Sequence, residues 1–218
     1  METLFYPEGH RLNAPENLAA ISSPAALSEA QRAGRILESR ALMCDGAHNL
    51  LVDLNGMRGL IPREEGALGI REGTVRDIAI LSRVNRPVSF IVQDFIREED
   101  GRITALLSRR AAQELCQREY IDKLCPGDVV PARVTHLEPF GVFADIGCGI
   151  PALLPIDSIS VSRIGHPRER FLPGMDIRAV VKGRDRGRIN LSHKELLGTW
   201  AENARRFQAG ETVGGIIR

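Results

Sequence analysis

From residue 36 onward the chain is built of short apolar, β-rich runs, each closed by glycine, asparagine, aspartate or proline. On that pattern 36–43, 50–54, 75–80, 88–95 and 103–107 are predicted strands. The stretch 111–124 changes period. Leu115, Cys116, Glu119, Tyr120 and Leu124 fall on one side of a helix, which Cys125-Pro126-Gly127 breaks. A second strand set follows at 129–137, 141–146, 152–154, 177–181 and 188–191, and then a helix at 196–207. Ser192 and Glu195, three apart, have the spacing of a capping box for that helix. Before residue 36 the pattern is irregular, with Pro7, Gly9, Pro15 and Pro24 as breaks. One short helix is expected there. Ser23 caps it, Pro24 occupies its first turn, Ala26, Leu27 and Ala30 form its apolar face, and Gly34 ends it.

The two strand sets repeat one another. Leu107-Ser108-Arg109-Arg110 recurs as Leu191-Ser192-His193-Lys194, and Pro126-Gly127-Asp128-Val129 as Ala209-Gly210-Glu211-Thr212. Val52-Asp53-Leu54 matches Ala144-Asp145-Ile146, and Gly59-Leu60-Ile61-Pro62 matches Ala152-Leu153-Leu154-Pro155. Each match is weak alone, but the four keep the same order with similar offsets. The unit is a five-stranded module followed by a linking helix. Five short strands in so small a module suit a Greek-key barrel of the OB type, whose closure hides the strand edges. The fold class expected is therefore mainly β, with tandem five-stranded OB-fold barrels and connecting α-helices. The expected division is an N-terminal extension (1–33), a first barrel (34–110), a linker helix (111–125), a second barrel (126–194), and a helix with the start of a possible third repeat (195–218).

Composition narrows the function. With 43% apolar residues the chain can bury real cores, while only 5% are aromatic, so rings within strands call for a reason. A net charge of +1 excludes a uniformly basic nucleic-acid binder but leaves room for a local basic face. Cys44, Cys116, Cys125 and Cys148 form no CxxC pair, which argues against zinc and for idle thiols in a reducing cytosol. No secretory signal and no run of 18 apolar residues is visible, so a cytoplasmic location without a membrane partner is expected.

The candidate chemistry lies in the second module. Phe140 and Phe143 flank Gly141-Val142, and side chains alternate along a strand, so residues three apart share a face only if the strand bulges or begins at Gly141. Two rings on one open surface would stack nucleobases. The alternative is that both rings are core. Nearby, Arg163, Arg168, Arg170, Arg178, Lys182, Arg184, Arg186 and Arg188 face only Glu169, Asp176 and Asp185, which leaves this stretch at +5. Such a run attracts phosphate, although a charge run alone is more often a solvated face. Rings and a basic run in one small barrel favour nucleic acid.

An enzyme is not legible. His10, His48, His136, His166 and His193 are scattered, and Gly147-Cys148-Gly149 lacks the further glycine and the lysine of a phosphate loop. Glu98-Glu99-Asp100 reads as a hairpin tip ending at Gly101.

The string Gly127-Asp128-Val129-Val130, Phe140-Gly141-Val142-Phe143-Ala144-Asp145-Ile146, Gly174-Met175-Asp176-Ile177 and Asp185-Arg186-Gly187-Arg188-Ile189-Asn190-Leu191-Ser192-His193-Lys194 resembles an S1 domain. This is the OB-type RNA-binding barrel named after the largest protein of the bacterial small ribosomal subunit. Leu197-Gly198-Thr199-Trp200-Ala201-Glu202-Asn203-Ala204, with Phe207 and Gly210, resembles the linker between its repeats. The likeness is strong over 126–218, traceable over 35–110, and does not reach 1–30. It implies that Phe140, Phe143, Asp185 and Arg188 belong to an RNA face. Lys182 and the loop residues Arg163, His166, Arg168 and Arg170 are candidate phosphate contacts. The family's histidine position falls at Pro155, a departure for which His166 is the candidate replacement. The first module departs further. Where the family has its rings it reads Gly46-Ala47-His48-Asn49-Leu50-Leu51, and between Gly34 and Arg110 twelve basic residues balance eleven acidic ones. In the ribosomal family early repeats dock on the ribosome rather than grip RNA.

The resemblance implies a non-enzymatic, monomeric binder of single-stranded RNA, mRNA foremost, acting in translation at the small ribosomal subunit and needing no cofactor. Two alternatives stay open. One is the RNA-binding portion of a larger enzyme, such as an exoribonuclease or a fused metabolic enzyme, which an end at Arg218 in mid-strand would fit. The other is a protein-docking module that binds no RNA.

Overall fold

The computed structural model describes residues 5–99, 101–185, 187–205 and 208–212. Contacts group the chain into two compact units. The first is Met1–Leu124 with Pro131–Arg133 and Asp145–Pro151, and the second is Cys125–Val130 with Val134–Ala144 and Ala152–Arg218.

The first unit holds helices α1 (Pro15–Ala20) and α2 (Pro24–Arg32) and strands β1 (Leu37–Cys44), β2 (Leu50–Leu54) and β3 (Met57–Ile61). The short helix α3 (Ile78–Leu81), strands β4 (Pro87–Arg97) and β5 (Ile103–Ser108), and helix α4 (Arg109–Glu119) complete it. Its strands close into a barrel in the order β1-β2-β3-β5-β4. The second barrel contains β6 (Val129–Glu138), β7 (Gly141–Asp145), β8 (Pro151–Pro155), β9 (Asp176–Asp185) and β10 (Arg188–Ser192), ordered β10-β8-β7-β6-β9. Read around the circle, the two orders are the same, so the sequence repeat is a repeat of topology. Both are five-stranded OB-type barrels, and each closes through one parallel pair, β3 with β5 and β8 with β10.

The third strand of the first barrel is β3, not the predicted 75–80. Asn55 and Gly56 both adopt positive φ, 55° and 91°, which is the two-residue turn that joins twisted antiparallel strands. Residues 75–80 instead leave a tight turn in which the Thr74 and Val75 N–H groups both donate to the Gly69 carbonyl, and α3 follows. Ile80 is fully buried there as a single anchor, so an apolar run that looks like a strand is one plug in an irregular connection.

Three helix signals also resolve. Ser23 caps α2 by accepting from the Ala26 N–H, and Gly34 at φ 59° lets the Arg35 N–H reach the Ala30 carbonyl and close the helix end. Helix α4 starts two residues before the predicted 111, because Ser108 accepts from the Ala111 N–H, and a single 3-10 turn at Ile121–Lys123 follows it. Ser192, by contrast, is not a cap. It is buried, and its hydroxyl donates to the Ser158 carbonyl. The predicted helix 196–207 is a 3-10 turn, Lys194–Leu197, a break at Gly198 (φ 78°), and then helix α5 (Trp200–Ala204). The capping box belongs to α5: Thr199 accepts from the Glu202 N–H, and Glu202 accepts from the Thr199 N–H at 2.6 Å. Phe207 and the start of a third repeat at 213–218 lie outside the described residues, as does Asp100 of the predicted hairpin tip, where the Gly101 N–H donates to the Glu98 carbonyl.

The segment before β1 is integral to the first unit. Asn17, buried on α1, donates to the Glu38 carbonyl and accepts from the Glu38 N–H, both at 2.8 Å, so its side chain pairs with β1 as a neighbouring strand would. Leu27 and Ala30 of α2 join the core. Glu8, within the first unit, is buried against Arg109, whose Nε and Nη2 donate to its two oxygens at 2.6 and 3.1 Å.

Glu38 accepts from the Gly9 and Arg11 N–H groups and from the Ser89 hydroxyl. Burial nevertheless raises its carboxyl to about 7, with the nearby Glu8 charge adding to the rise against those donors. A carboxyl whose pKa is raised on folding takes up a proton, so it weakens the fold as pH climbs from its ordinary 4.5 toward 7. In urea unfolding between pH 5 and pH 7, Glu38 alone should contribute a loss of up to about 1.4 kcal/mol per pH unit, with Asp145, also raised to about 7 by burial, adding to the slope. Glu38→Gln should flatten that slope relative to the parent, and an unchanged slope would exclude Glu38 as its source.

Candidate nucleic-acid interface

The second barrel builds its open face from strand alternation. In β7 only Phe143 escapes burial, while Val142 and Ala144 point inward. In β10 Arg188 and Asn190 are outward, and Ile189 and Leu191 are core. In β8, Ala152 and Leu154 are buried, which turns Leu153 outward, and Leu153 lies beside Asn190 in the parallel register. Phe140 sits just before β7 and is held there by the Ile156 N–H, which donates to its carbonyl.

The rings meet because β7 begins at Gly141. Phe140 is 56% exposed, so it is not core, and Phe143 is half-buried. Their centroids are 6.1 Å apart at 88°, an edge-to-face pair. A side chain at 141 is excluded by the partner strand, since a Cβ there would approach the Leu154 carbonyl oxygen to 2.6 Å. Thr135 of β6 donates its hydroxyl to the Phe143 carbonyl at 3.0 Å, which fixes the backbone behind the ring. The Arg188 guanidinium lies over the Phe143 ring, 5.5 Å from its centroid.

The other sequence candidates fall into two groups. Asp185 and Lys182 stand on β9, exposed. Asp185 is directly across from Arg188 at the tip of the β9–β10 hairpin, whose Arg186 lies outside the described residues. Lys182 occupies a bulge, because the register passes from Gly183↔Asn190 to Val181↔Leu191 and leaves it unmatched. Arg163, His166 and Arg168 lie on the β8–β9 connection and are not part of the ring–guanidinium cluster. His166 organises its own loop. Its Nδ1 accepts from the Arg168 backbone N–H at 3.1 Å, and it caps the 3-10 turn Pro167–Glu169. The Arg168 Nε donates to the same nitrogen at 3.2 Å.

Among its described residues the first barrel shows no such face. The repeat aligns Phe140 with His48 and Phe143 with Leu51. His48 Nδ1 bonds Asp77 at 2.8 Å, and Asp77 also pairs with Arg63 at 2.7 Å. The connection after β3 thus returns to the β1–β2 loop and engages the side chain that stands where a ring would be.

The second barrel is thus an OB-type barrel with an aromatic pair at the start of its second strand and an arginine on its fifth. Residues 123–194, the span that holds the second barrel, match the family described as the S1 RNA binding domain. Small ribosomal subunit protein bS1 of Leuconostoc lactis is 32% identical over 176 residues, covering 78% of this chain and 39% of the relative. The protein of the same name from Staphylococcus aureus (strain COL) is 29% identical over 175 residues, covering 77% of this chain and 42% of the relative. The chain therefore spans about two-fifths of the length of these curated relatives. The solution structure of GSP13 from Bacillus subtilis aligns with 42% of this chain and 66% of its own at 20% identity, with a TM-score of 0.33. Among the described residues no helix is long and apolar enough to cross a membrane.

Proposed function

We propose that the chain binds single-stranded RNA through its second barrel and serves in translation as a bS1-like factor, with mRNA as its main ligand and the small ribosomal subunit as its site of action in the cytoplasm. The observation that carries this reading is the outward pair of an exposed Phe140 and a half-buried Phe143, with Arg188 across Phe143, on a barrel that matches the S1 RNA binding family. Rings on an open sheet offer a π-face to any base, and the chain works by binding alone, not by catalysis.

Each candidate takes the role its chemistry allows. Phe140 and Phe143 stack bases. Arg188, Lys182, Arg163 and Arg168 are cations for phosphate. His166 uses Nδ1 as an acceptor within its loop, which places the proton of the neutral ring on Nε2 and makes that atom a donor. Asp185 is an acceptor on a cationic surface and suits a sugar 2′-hydroxyl better than phosphate.

A stacking face needs unpaired bases, so single-stranded RNA should outcompete a duplex of equal length. Equal affinity in that competition would overturn the assignment. Arg188→Ala should weaken binding and lower the slope of log affinity against log salt by about 0.7, the share of one phosphate contact on a single strand. An unaltered slope would place Arg188 off the phosphate path.

A further inference from the structure

A second cluster of rings lies near the start of the chain, where Phe5, Tyr6 and His10 stand within six residues. Phe5 is taken up by Tyr120, stacked on it at 5.8 Å and 14°. Tyr6 and His10 are brought together by a turn. The His10 N–H donates to the Pro7 carbonyl at 3.2 Å, and Gly9 holds the third place of the turn at φ 93°. Glycine adopts that backbone state without strain. The chain therefore doubles back, and the two rings meet face to face, 4.3 Å between centroids and 10° from parallel. The Arg11 guanidinium lies over the Tyr6 ring, 5.3 Å from its centroid.

This column is fixed at its base and open at its end. The Gly9 and Arg11 N–H groups donate to the Glu38 carboxylate, and the Tyr6 carbonyl accepts from the Cys148 N–H at 2.9 Å. Between them, Glu8 is buried on Arg109. His10, by contrast, is exposed. Tyr6 covers one face of its imidazole, and among the described residues no second ring lies on the other. Its ring nitrogens hydrogen-bond to no described residue. An exposed ring adds little burial, so packing gives no reason for aligning it in a stack.

We propose that this column is a second base-stacking platform, on which a nucleobase of single-stranded RNA lies against the open face of His10 while Arg11 draws its phosphate. A base is flat and extends a parallel stack, and the planes of histidine and arginine both stack bases in RNA recognition. The rings are aligned before binding, so little side-chain freedom is lost when a base arrives. The platform rests on the RNA-binding reading above and adds to it a contact outside residues 123–194.

The test uses the full chain and an oligo(U) decamer carrying 4-thiouridine, irradiated in the complex and mapped by mass spectrometry after trypsin. The parent should give conjugates on peptides of the second barrel and also on peptide 1–11, which trypsin releases at Arg11. Tyr6→Ala with His10→Ala should lose the 1–11 conjugate and keep the others. In a Phe143→Ala background the same pair of changes should weaken decamer binding about fivefold, the low end for one stacked base. The melting temperature should move little, because backbone groups that the substitutions leave in place hold the turn. His10→Asp, a change at an exposed position, should also lose the 1–11 conjugate, and His10→Phe, which keeps a ring, should retain it. An unlabelled peptide 1–11 in the parent, or an unchanged affinity on removing both rings, would overturn the platform while the second-barrel reading stands. Absence of any conjugate and of any binding would overturn both readings at once.

Discussion

Phe143→Ala is expected to lower affinity for single-stranded RNA about five- to a hundredfold while leaving the barrel folded. Base–aromatic stacking contributes about 1–3 kcal/mol per base, which sets that range. The cost to the fold is smaller. The ring is half-buried, so its removal forfeits on the order of 1 kcal/mol of burial, against about 3–5 kcal/mol for a phenylalanine lost from a core. The Thr135 bond goes to the Phe143 carbonyl and survives the substitution. Melting temperature and affinity measured on one variant therefore separate a ligand-facing ring from a packing one. A protein that melts far earlier yet binds RNA normally while folded would reject the stacking role.

The largest effect on stability is expected at Glu8 and Arg109. Burial disfavours the Glu8 charge, but the guanidiniums of Arg109 and Arg83 and the Ser89 N–H outweigh it and hold the carboxyl below its ordinary range. Removing either partner leaves a buried charge without its counter-ion, which costs about 3–5 kcal/mol. For a domain whose total stability is on the order of 5–15 kcal/mol, Glu8→Ala or Arg109→Ala should shift the urea midpoint far down. The double variant Glu8→Leu with Arg109→Met should be closer to the parent than either single change, because both fully buried charges go together and only the partly exposed Arg83 loses a counter-ion. If the three variants lost stability additively, the pair would not act as a unit. A carboxyl held low on folding gives stability that is present above its unfolded pKa and lost as pH falls through the folded value, the opposite sense to Glu38.

Barrel-forming runs and the ring pair were legible because both depend on local order. Strand alternation, turn residues and a glycine between two phenylalanines are all written within a few positions. The slot filled by β3 was harder to see. Met57-Arg58-Gly59-Leu60-Ile61 is short, and its glycine gives no side-chain signal because Leu54 and Leu107 press against that position. The Asn55-Gly56 turn was the available clue, and it outweighs the β-rich look of 75–80. Ser192 and Thr199 show the same limit for caps. Two spacings fit a box, and only the tertiary bond from Ser192 to Ser158 decides between them. The S1 likeness supplied Asp185 and Arg188, but it does not reach residues 1–30, and the facing of Tyr6 and His10 depends on how the turn at Gly9 closes. The docking of Asn17 onto β1 was equally out of reach, since it joins residues far apart in sequence through a side chain acting as backbone.

The bond between His48 and Asp77 bears on redesign. The two barrels share a winding order, which suggests that rings placed at 48 and 51 would turn the first into a copy of the second. They would not. His48 sits at φ 65°, a backbone state that a bulky ring accepts poorly, and its removal would strip the Asp77 carboxylate of one of its two partners and leave Arg63 alone to hold it beside the new surface. A transplant would have to carry the whole hairpin and the connection after the third strand together. The binding face of such a barrel thus belongs to a loop-and-strand cassette, and single residues are too small a unit to exchange.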